Sequence, residues 1–149
     1  MDKKEILKKL VDKNNKQAYE YAKKIGIESA KTNKFLDMIP DFASMLEDKN
    51  SLIRTRFYIL ICNQARWAND GQIKKIYGQM EPLLYDSKPT VVRQCLNALH
   101  EVVLYRPEMN NLIKKSISKI NLKIYKENMA SLIKKDINEL LKTINSSLQ

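Results

Sequence analysis

The sequence of 149 residues contains few residues that break helices or carry chemistry: three glycines, four prolines, two cysteines and one histidine. It also lacks a long apolar run. The longest, residues 57–62, has six residues, whereas a membrane-spanning helix needs about 20. The amino terminus has neither the apolar segment nor the small-residue cleavage site of a secretory signal. We therefore expect a soluble, cytoplasmic protein with no membrane partner.

The scarcity of cysteine, histidine and glycine limits the chemistry that we expect of this chain. Cys62 and Cys95 lie within apolar helical patterns with no second ligand nearby, which predicts two buried thiols in a reducing compartment. His100 has no neighbour at metal-ligand spacing, and the glycines lack the spacing of a phosphate-binding loop. No nucleophile is surrounded by a catalytic motif. We therefore predict no cofactor, no metal and no enzymatic activity.

The net charge of +10 is the one feature of the composition that could indicate nucleic acid or an acidic partner. Residues 1–34 and residues 112–149 each carry +5, whereas residues 35–111 carry nine basic and nine acidic side chains. Of the 27 basic residues 22 are lysine, although phosphate recognition tends to favour the forked guanidinium of arginine. The positive charge is thus confined to the two ends, and it indicates nucleic acid only weakly.

A repeated segment runs through the first two thirds of the chain. The sequence LVDKNN at residues 10–15 recurs as LEDKNS at 46–51 and as LYDSKP at 84–89, at offsets of 36 and 38. Residues 52–57 and 91–96 also match each other, at an offset of 39. Repeats of this length are typical of stacked helical pairs.

Within each unit the apolar residues recur at helical spacing, as in Phe35, Ile39, Phe42 and Leu46. Helix-start signals agree with this pattern: Asn50 or Ser51, Thr90 after Pro89, and Pro107. We therefore predict an all-α protein of eight helices. It forms a single domain over residues 1–149, with helical pairs at about 3–26, 34–67, 72–105 and 107–144.

Two segments resemble the signature of HEAT repeats: Asp48 followed six residues later by Arg54, and DSKPTVVR at residues 86–93. The resemblance covers about residues 3–144 and is most specific in the two central units. It implies an armadillo-type fold, a right-handed α-α superhelix of about four antiparallel pairs with degenerate caps. Residues 41–67 and 92–108 are also similar to a small bacterial HEAT-type family of unknown function, often labelled SufBD.

The HEAT resemblance implies a ladder of polar contacts between neighbouring repeats. In such repeats the turn aspartate and the following arginine bridge adjacent units. The matching positions in this sequence are Asp48, Arg54, Asp86 and Arg93. Pairs of this kind fix the register of a stack more than they stabilise it.

The same architecture predicts a concave wall formed by the second helix of each pair. Projecting the helical pattern places these side chains on the wall: Tyr19, Thr55, Arg56, Tyr58, Cys62, Arg66, Trp67, Gln94, Asn97, Glu101, Tyr105 and Arg106. Aromatic and arginine side chains are enriched at protein interfaces and also stack on nucleic acid bases. The alternative is that these residues form a merely solvated face, with Trp67 packed over the next loop.

Two functions follow from this wall. The first is a non-catalytic scaffold that binds a protein or peptide and is itself a monomer or a dimer. The second is a nucleic-acid-binding protein whose lysine-rich ends hold phosphate. In its favour, Arg66, Trp67 and Asp70 lie in one loop that resembles the HEAT-like alkylpurine DNA glycosylases. Asp70 is also explained as the N-cap of the next helix.

Overall fold

The computed structural model describes residues 2–69 and 71–147, and this part of the chain folds into helices and turns without a β-strand. The prediction of an all-α chain with eight helices is confirmed. The helices are α1 (Lys3–Leu10), α2 (Asn15–Ser29), α3 (Ile39–Ala43), α4 (Ser51–Asn63), α5 (Gln72–Met80), α6 (Pro89–Tyr105), α7 (Asn110–Ile117) and α8 (Glu127–Ser147). Short 3-10 helices lie at Leu36–Met38, Glu81–Tyr85, Pro107–Met109 and Leu122–Ile124.

The second helices of the predicted pairs contact one another in chain order: α2 contacts α4, α4 contacts α6, and α6 contacts α8. Of the first helices, α1 packs on α2, α3 packs on α4 and on α5, and α7 packs on α8. The 3-10 helix Glu81–Tyr85 joins α5 to α6 and also contacts α7. Within the described residues no helix combines the length and the apolar character needed to cross a membrane.

Side-chain caps begin three of the helices. Asp2 accepts a hydrogen bond from the Glu5 amide at the start of α1, and Asn14 caps α2. Asn50 caps α4 by accepting from the Leu52 amide at 2.9 Å, so Ser51 is the first helical residue rather than the cap. These contacts satisfy amides that have no partner within the helix, which explains why the helices begin at these residues.

The apolar faces of the helices meet in one continuous core. Phe42 of α3 and Phe57 of α4 lie at its centre, with ring centroids 5.8 Å apart. Cys62 and Cys95 are buried free thiols, as predicted, and burial raises the pKa of both. Many of the largest core side chains come from the predicted apolar positions: Leu10, Ile25, Ile39, Leu46, Leu60, Ile61, Ile73, Met80, Leu84, Leu96, Leu99, Ile113, Ile133, Leu140 and Ile144.

The repeated aspartate forms the same local hydrogen bond in each copy. The Oδ1 atoms of Asp12 and Asp48 each accept from the amide two residues later at 2.8 Å, and that of Asp86 does so at 2.9 Å. Asn121 makes the equivalent contact at 3.0 Å between α7 and α8. Such turns hold the chain in a non-helical conformation, so they end one helix and lead into the next.

Polar contacts also join neighbouring units. Arg54 pairs with Asp86 at 2.8 Å, between the second and third pairs. Arg93 of α6 pairs with Asp136 of α8, and its Nε atom lies 2.6 Å from the carboxylate. Asp48 differs from the predicted ladder, because its carboxylate turns back to the Asn50 amide and Arg54 reaches only its backbone carbonyl. The first unit has no arginine at the ladder position.

Candidate interaction groove

A continuous groove runs along the row formed by α2, α4 and α6. Its apolar end, between α2 and α4, has a volume of about 640 Å³, and its polar end, which extends across α6 towards α8, about 850 Å³. Tyr19, Gly26, Ile59, Asn63 and Gln94 line both ends. The two ends therefore form one surface.

The helical spacing of the sequence explains how two helices line the apolar end. The lining residues of α2 are 15, 16, 19, 22, 23, 26 and 27, and those of α4 are 52, 55, 56, 59, 60 and 63. Both sets follow the three-and-four spacing of a single helical face. The groove is therefore the seam where one face of α2 and one face of α4 diverge towards the surface.

Exposed apolar side chains concentrate in this groove. Tyr19, Ile27, Leu52 and Leu104 are 58%, 57%, 51% and 61% exposed, and all four line it. Only two other large apolar side chains of the described residues are comparably exposed, Ile124 and Leu132. Single exposed apolar residues need no explanation, but several on one concave surface indicate a binding site.

Polar contacts fix the shape of the polar end. The Nδ2 atom of Asn63 donates to Glu101 at 3.1 Å, which joins α4 to α6. Arg66 donates to the carbonyl of Ala30 at 2.9 Å, and its guanidinium lies 4.8 Å from the centre of the Tyr105 ring. Burial raises the pKa of Glu101, although the hydrogen bond from Asn63 and the charge of Arg66 act in the opposite direction. The polar side chains of this end are thus held in place before any partner binds.

Most of the predicted wall residues come together in the groove. Six of them line the polar end: Tyr19, Arg66, Gln94, Asn97, Glu101 and Tyr105. Thr55 and Arg56 line the apolar end but are nearly buried, at 5% and 8% exposure. Arg56 donates to the carbonyl of Leu10 at 2.7 Å, and burial lowers its pKa. These two residues form the floor of the groove.

The structure corrects the prediction for four wall residues. Tyr58 and Cys62 are fully buried, because their side of α4 is covered by the core, with Cys95 of α6 and Tyr77 nearby. Trp67 follows α4 in the chain, and its side chain reaches the end of α2, where the indole donates to the carbonyl of Ser29 at 2.6 Å. Arg106 follows the end of α6, donates to the Tyr105 carbonyl and lies 3.8 Å from Glu108. The side chains of Trp67 and Arg106 do not line the groove.

Several residues that line the groove are not among those predicted from the sequence, chiefly Ile27, Leu52, Ile59, Asn63 and Leu104. For α4 a signal was available. Residues 52, 55, 56, 59 and 63 have the spacing of one helical face, but Leu52 and Ile59 look like core residues in the sequence. Only the structure shows that no helix covers this face of α4 in the described part of the chain.

His100 lines the polar end of the groove. The Nδ1 atom of His100 lies 2.8 Å from the hydroxyl of Thr143, and the described residues contain no cluster of three or more histidine, cysteine or acidic side chains suited to a metal. Asp70, on which the glycosylase resemblance depends, lies outside the described residues.

Comparison of the chain with family models, with curated proteins and with solved structures finds no match. What the groove binds must therefore be inferred from its own residues.

Proposed function

We propose that this chain is a non-catalytic interaction scaffold that binds a protein or peptide in the groove over α2, α4 and α6. The observation that carries the proposal is the clustering of Tyr19, Ile27, Leu52 and Leu104, which are large, exposed and apolar, in one concave surface. Binding would bury these anchors, while the polar end fixes the orientation of the partner. No bond is made or broken.

The proposal includes a HEAT-type solenoid as the scaffold, a right-handed superhelix of four helical pairs in which α1, α3, α5 and α7 form the outer row. The repeated turn supports it, because Asp12, Asp48, Asp86 and Asn121 make equivalent hydrogen bonds at offsets of 36, 38 and 35 residues. The chain of contacts from α2 through α4 and α6 to α8 has the order expected of stacked repeats. Two buried free thiols support a reducing, cytoplasmic location.

Selection of peptide ligands tests the proposal directly. A displayed library of random peptides is selected on the immobilised protein, and the selected peptides are synthesised and titrated against variants. We expect Leu52→Glu and Leu104→Glu each to weaken binding at least about tenfold, since a buried anchor contributes more than 1.4 kcal/mol. Leu132→Glu is the matched control, because Leu132 is an exposed leucine on α8 that does not line the groove.

Two results would contradict the proposal. One is a selection that yields only peptides whose affinity is unchanged by Leu52→Glu and Leu104→Glu. The other concerns nucleic acid, titrated as duplex and single-stranded DNA at two salt concentrations. Tight binding that weakens steeply with salt and is abolished by the groove variants would replace the peptide with nucleic acid as the partner.

A further inference from the structure

The apolar end of the groove has charge of one sign. Lys16 and Lys23 of α2 are exposed at its rim, and Arg56 lies at its floor. None of the described residues that line this end is acidic. Glu20 lies on the same helix and lines a neighbouring depression beside α1, which Lys16 also borders. A partner that enters the apolar end therefore meets positive charge along one edge, with no carboxylate in the lining to compensate it.

The two rim lysines are spaced for a helical partner. Lys16 and Lys23 are seven residues apart, which corresponds to two turns, or about 10.5 Å along α2. A partner helix lying along α2 repeats at the same interval, so acidic residues at positions i and i+7 would reach both lysines. Tyr19 of α2 and Leu52 and Ile59 of α4 form the apolar strip against which such a helix would pack.

We propose that the apolar end of the groove binds an acidic amphipathic helix of about three turns. The length follows from the lining of α2, which extends from residue 15 to residue 27, about 18 Å at 1.5 Å per residue. The apolar stripe of the partner packs on Leu52 and Ile59, and its acidic edge faces Lys16 and Lys23. This inference rests on the proposed function and specifies the chemical class of the partner.

The structure favours this partner over a nucleic acid strand. Phosphate binding needs cationic groups free along the path of the backbone. At the polar end, however, Arg93 is paired with Asp136, and Arg66 is engaged with Ala30 and Tyr105. The apolar end presents the exposed aliphatic side chains of Ile27 and Leu52, and these match the apolar face of a helix.

Two synthetic peptides test the inference. Both have 14 residues and the same leucine stripe at helical spacing, and they differ only in having glutamate or lysine at the polar positions. Each is titrated by fluorescence anisotropy against the wild-type chain and two variants. The groove variant is Lys16→Glu with Lys23→Glu. The control is Lys74→Glu with Lys75→Glu, which changes the net charge equally on exposed positions of α5.

We expect the glutamate peptide to bind the wild-type chain and to lose about tenfold or more in affinity for the groove variant, because two attractions become repulsions. The lysine peptide should gain affinity for the groove variant. The control should change the affinity of the glutamate peptide by less than about threefold, a general effect of net charge. All four substituted lysines are exposed, so circular dichroism should show that both variants fold.

Four outcomes would overturn the inference. The first is an equal loss of affinity in the two charge variants, which would mean that the peptide senses only net charge. The second is binding of both peptides with equal affinity, and the third is no binding of the glutamate peptide at low salt. In each case the proposed function still stands if library-selected peptides remain sensitive to Leu52→Glu, so the two failures are distinguishable. Displacement of the glutamate peptide by single-stranded DNA would also overturn it.

Discussion

The guanidinium of Arg54 and the carboxylate of Asp86 form an ion pair of 2.8 Å between the second and third helical pairs. Their side chains are only 18% and 10% exposed, and Arg54 also donates to the carbonyls of Asp48 and Lys49. One side chain thus holds the turn of its own unit and the turn of the next. Removing either charge leaves the other poorly solvated, which costs more than the pair itself contributes.

We expect Arg54→Met to lower the free energy of unfolding by about 2 to 3 kcal/mol, below the cost for a fully buried pair because some solvent reaches these side chains. Urea unfolding measures the change. The matched control is Lys34→Met, which removes an ion pair with Glu28 whose side chains are 54% and 48% exposed. It should cost less than about 1 kcal/mol. Equal effects of the two substitutions would show that Arg54 does not link the units.

The turns that join the two helices of each predicted pair could be predicted from the sequence because their hydrogen bonds are local. Asp12, Asp48 and Asp86 each bind the amide two residues later, so the same short segment produces the same turn wherever it occurs. The fourth turn was missed, since Asn121 replaces aspartate there and its neighbours differ from those of the other copies. The amide oxygen of asparagine accepts the same hydrogen bond.

The lining of the groove could be predicted only in part, because helical spacing shows which residues share a face but not which faces are covered. Tyr58 was placed on the wall, but its side of α4 packs into the core. The partner of Arg93, Asp136, is 43 residues away in the sequence, and nothing local identifies it. The same holds for Trp67 and the carbonyl of Ser29, 38 residues apart. Long-range pairing depends on the packing of helices and has no sequence signal of its own.

Arg56 joins the first helical pair to the second, since its buried guanidinium donates to the carbonyl of Leu10 at the end of α1. We expect Arg56→Met to destabilise the chain by about 1 to 3 kcal/mol, the cost of leaving a buried acceptor unsatisfied. The loss should be local, with faster hydrogen exchange in α1 than in α6. Arg106→Met is the control, because the ion pair of Arg106 with Glu108 is a 3.8 Å contact and half of the Glu108 side chain is exposed. Uniformly faster exchange in all helices would contradict a local role.

Tyr58 distinguishes burial in the core from a place on the binding surface. Its side chain is fully buried, and its hydroxyl has no hydrogen-bond partner among the described residues. Tyr58→Phe should therefore leave the stability unchanged or raise it by up to about 1 kcal/mol, because it removes an unsatisfied polar group. The affinity for groove-binding peptides should not change. A marked loss of affinity would contradict this prediction, because it would mean that Tyr58 belongs to the binding surface.

Glu101 should make the stability depend on pH. Burial raises its pKa in the folded chain, so the folded state holds the proton more tightly than the unfolded state does. The free energy of unfolding therefore begins to fall as the pH rises above the ordinary pKa of a glutamate, about 4 to 5. It continues to fall as the pH rises through the higher pKa of the folded state. Glu101→Gln should reduce this fall, measured by urea unfolding at pH 4 and pH 7.

Asn63→Ala provides the opposite arm of the same experiment. It removes the hydrogen bond that stabilises the ionised Glu101, so the pKa of Glu101 should rise further and the loss of stability between pH 4 and pH 7 should increase. An identical pH dependence of stability in the wild-type chain and both variants would show that the pKa of Glu101 is the same in the folded and unfolded states.

Two glycines in helix interiors have opposite surroundings, and only one of them touches the groove. A Cβ atom at Gly26 in α2 would lie 3.1 Å from the Oδ1 atom of Asn63, whereas one at Gly78 in α5 would meet no described atom within 4 Å. Gly78→Ala should stabilise the chain by about 0.5 to 1 kcal/mol, because alanine loses less conformational entropy in a helix. Gly26→Ala makes the same gain but must displace Asn63, which is held by Glu101 across the groove.

We therefore expect Gly26→Ala to stabilise the chain less than Gly78→Ala does, or to destabilise it, and to weaken peptide binding, which Gly78→Ala should leave unchanged. Urea unfolding and peptide titration of the two variants separate the effects. Helix propensity alone predicts the same gain at both positions, so any difference measures the close contact of α2 with α4. Equal stabilisation with unchanged affinity would mean that Asn63 moves aside freely, and the groove would then not depend on its contact with Glu101.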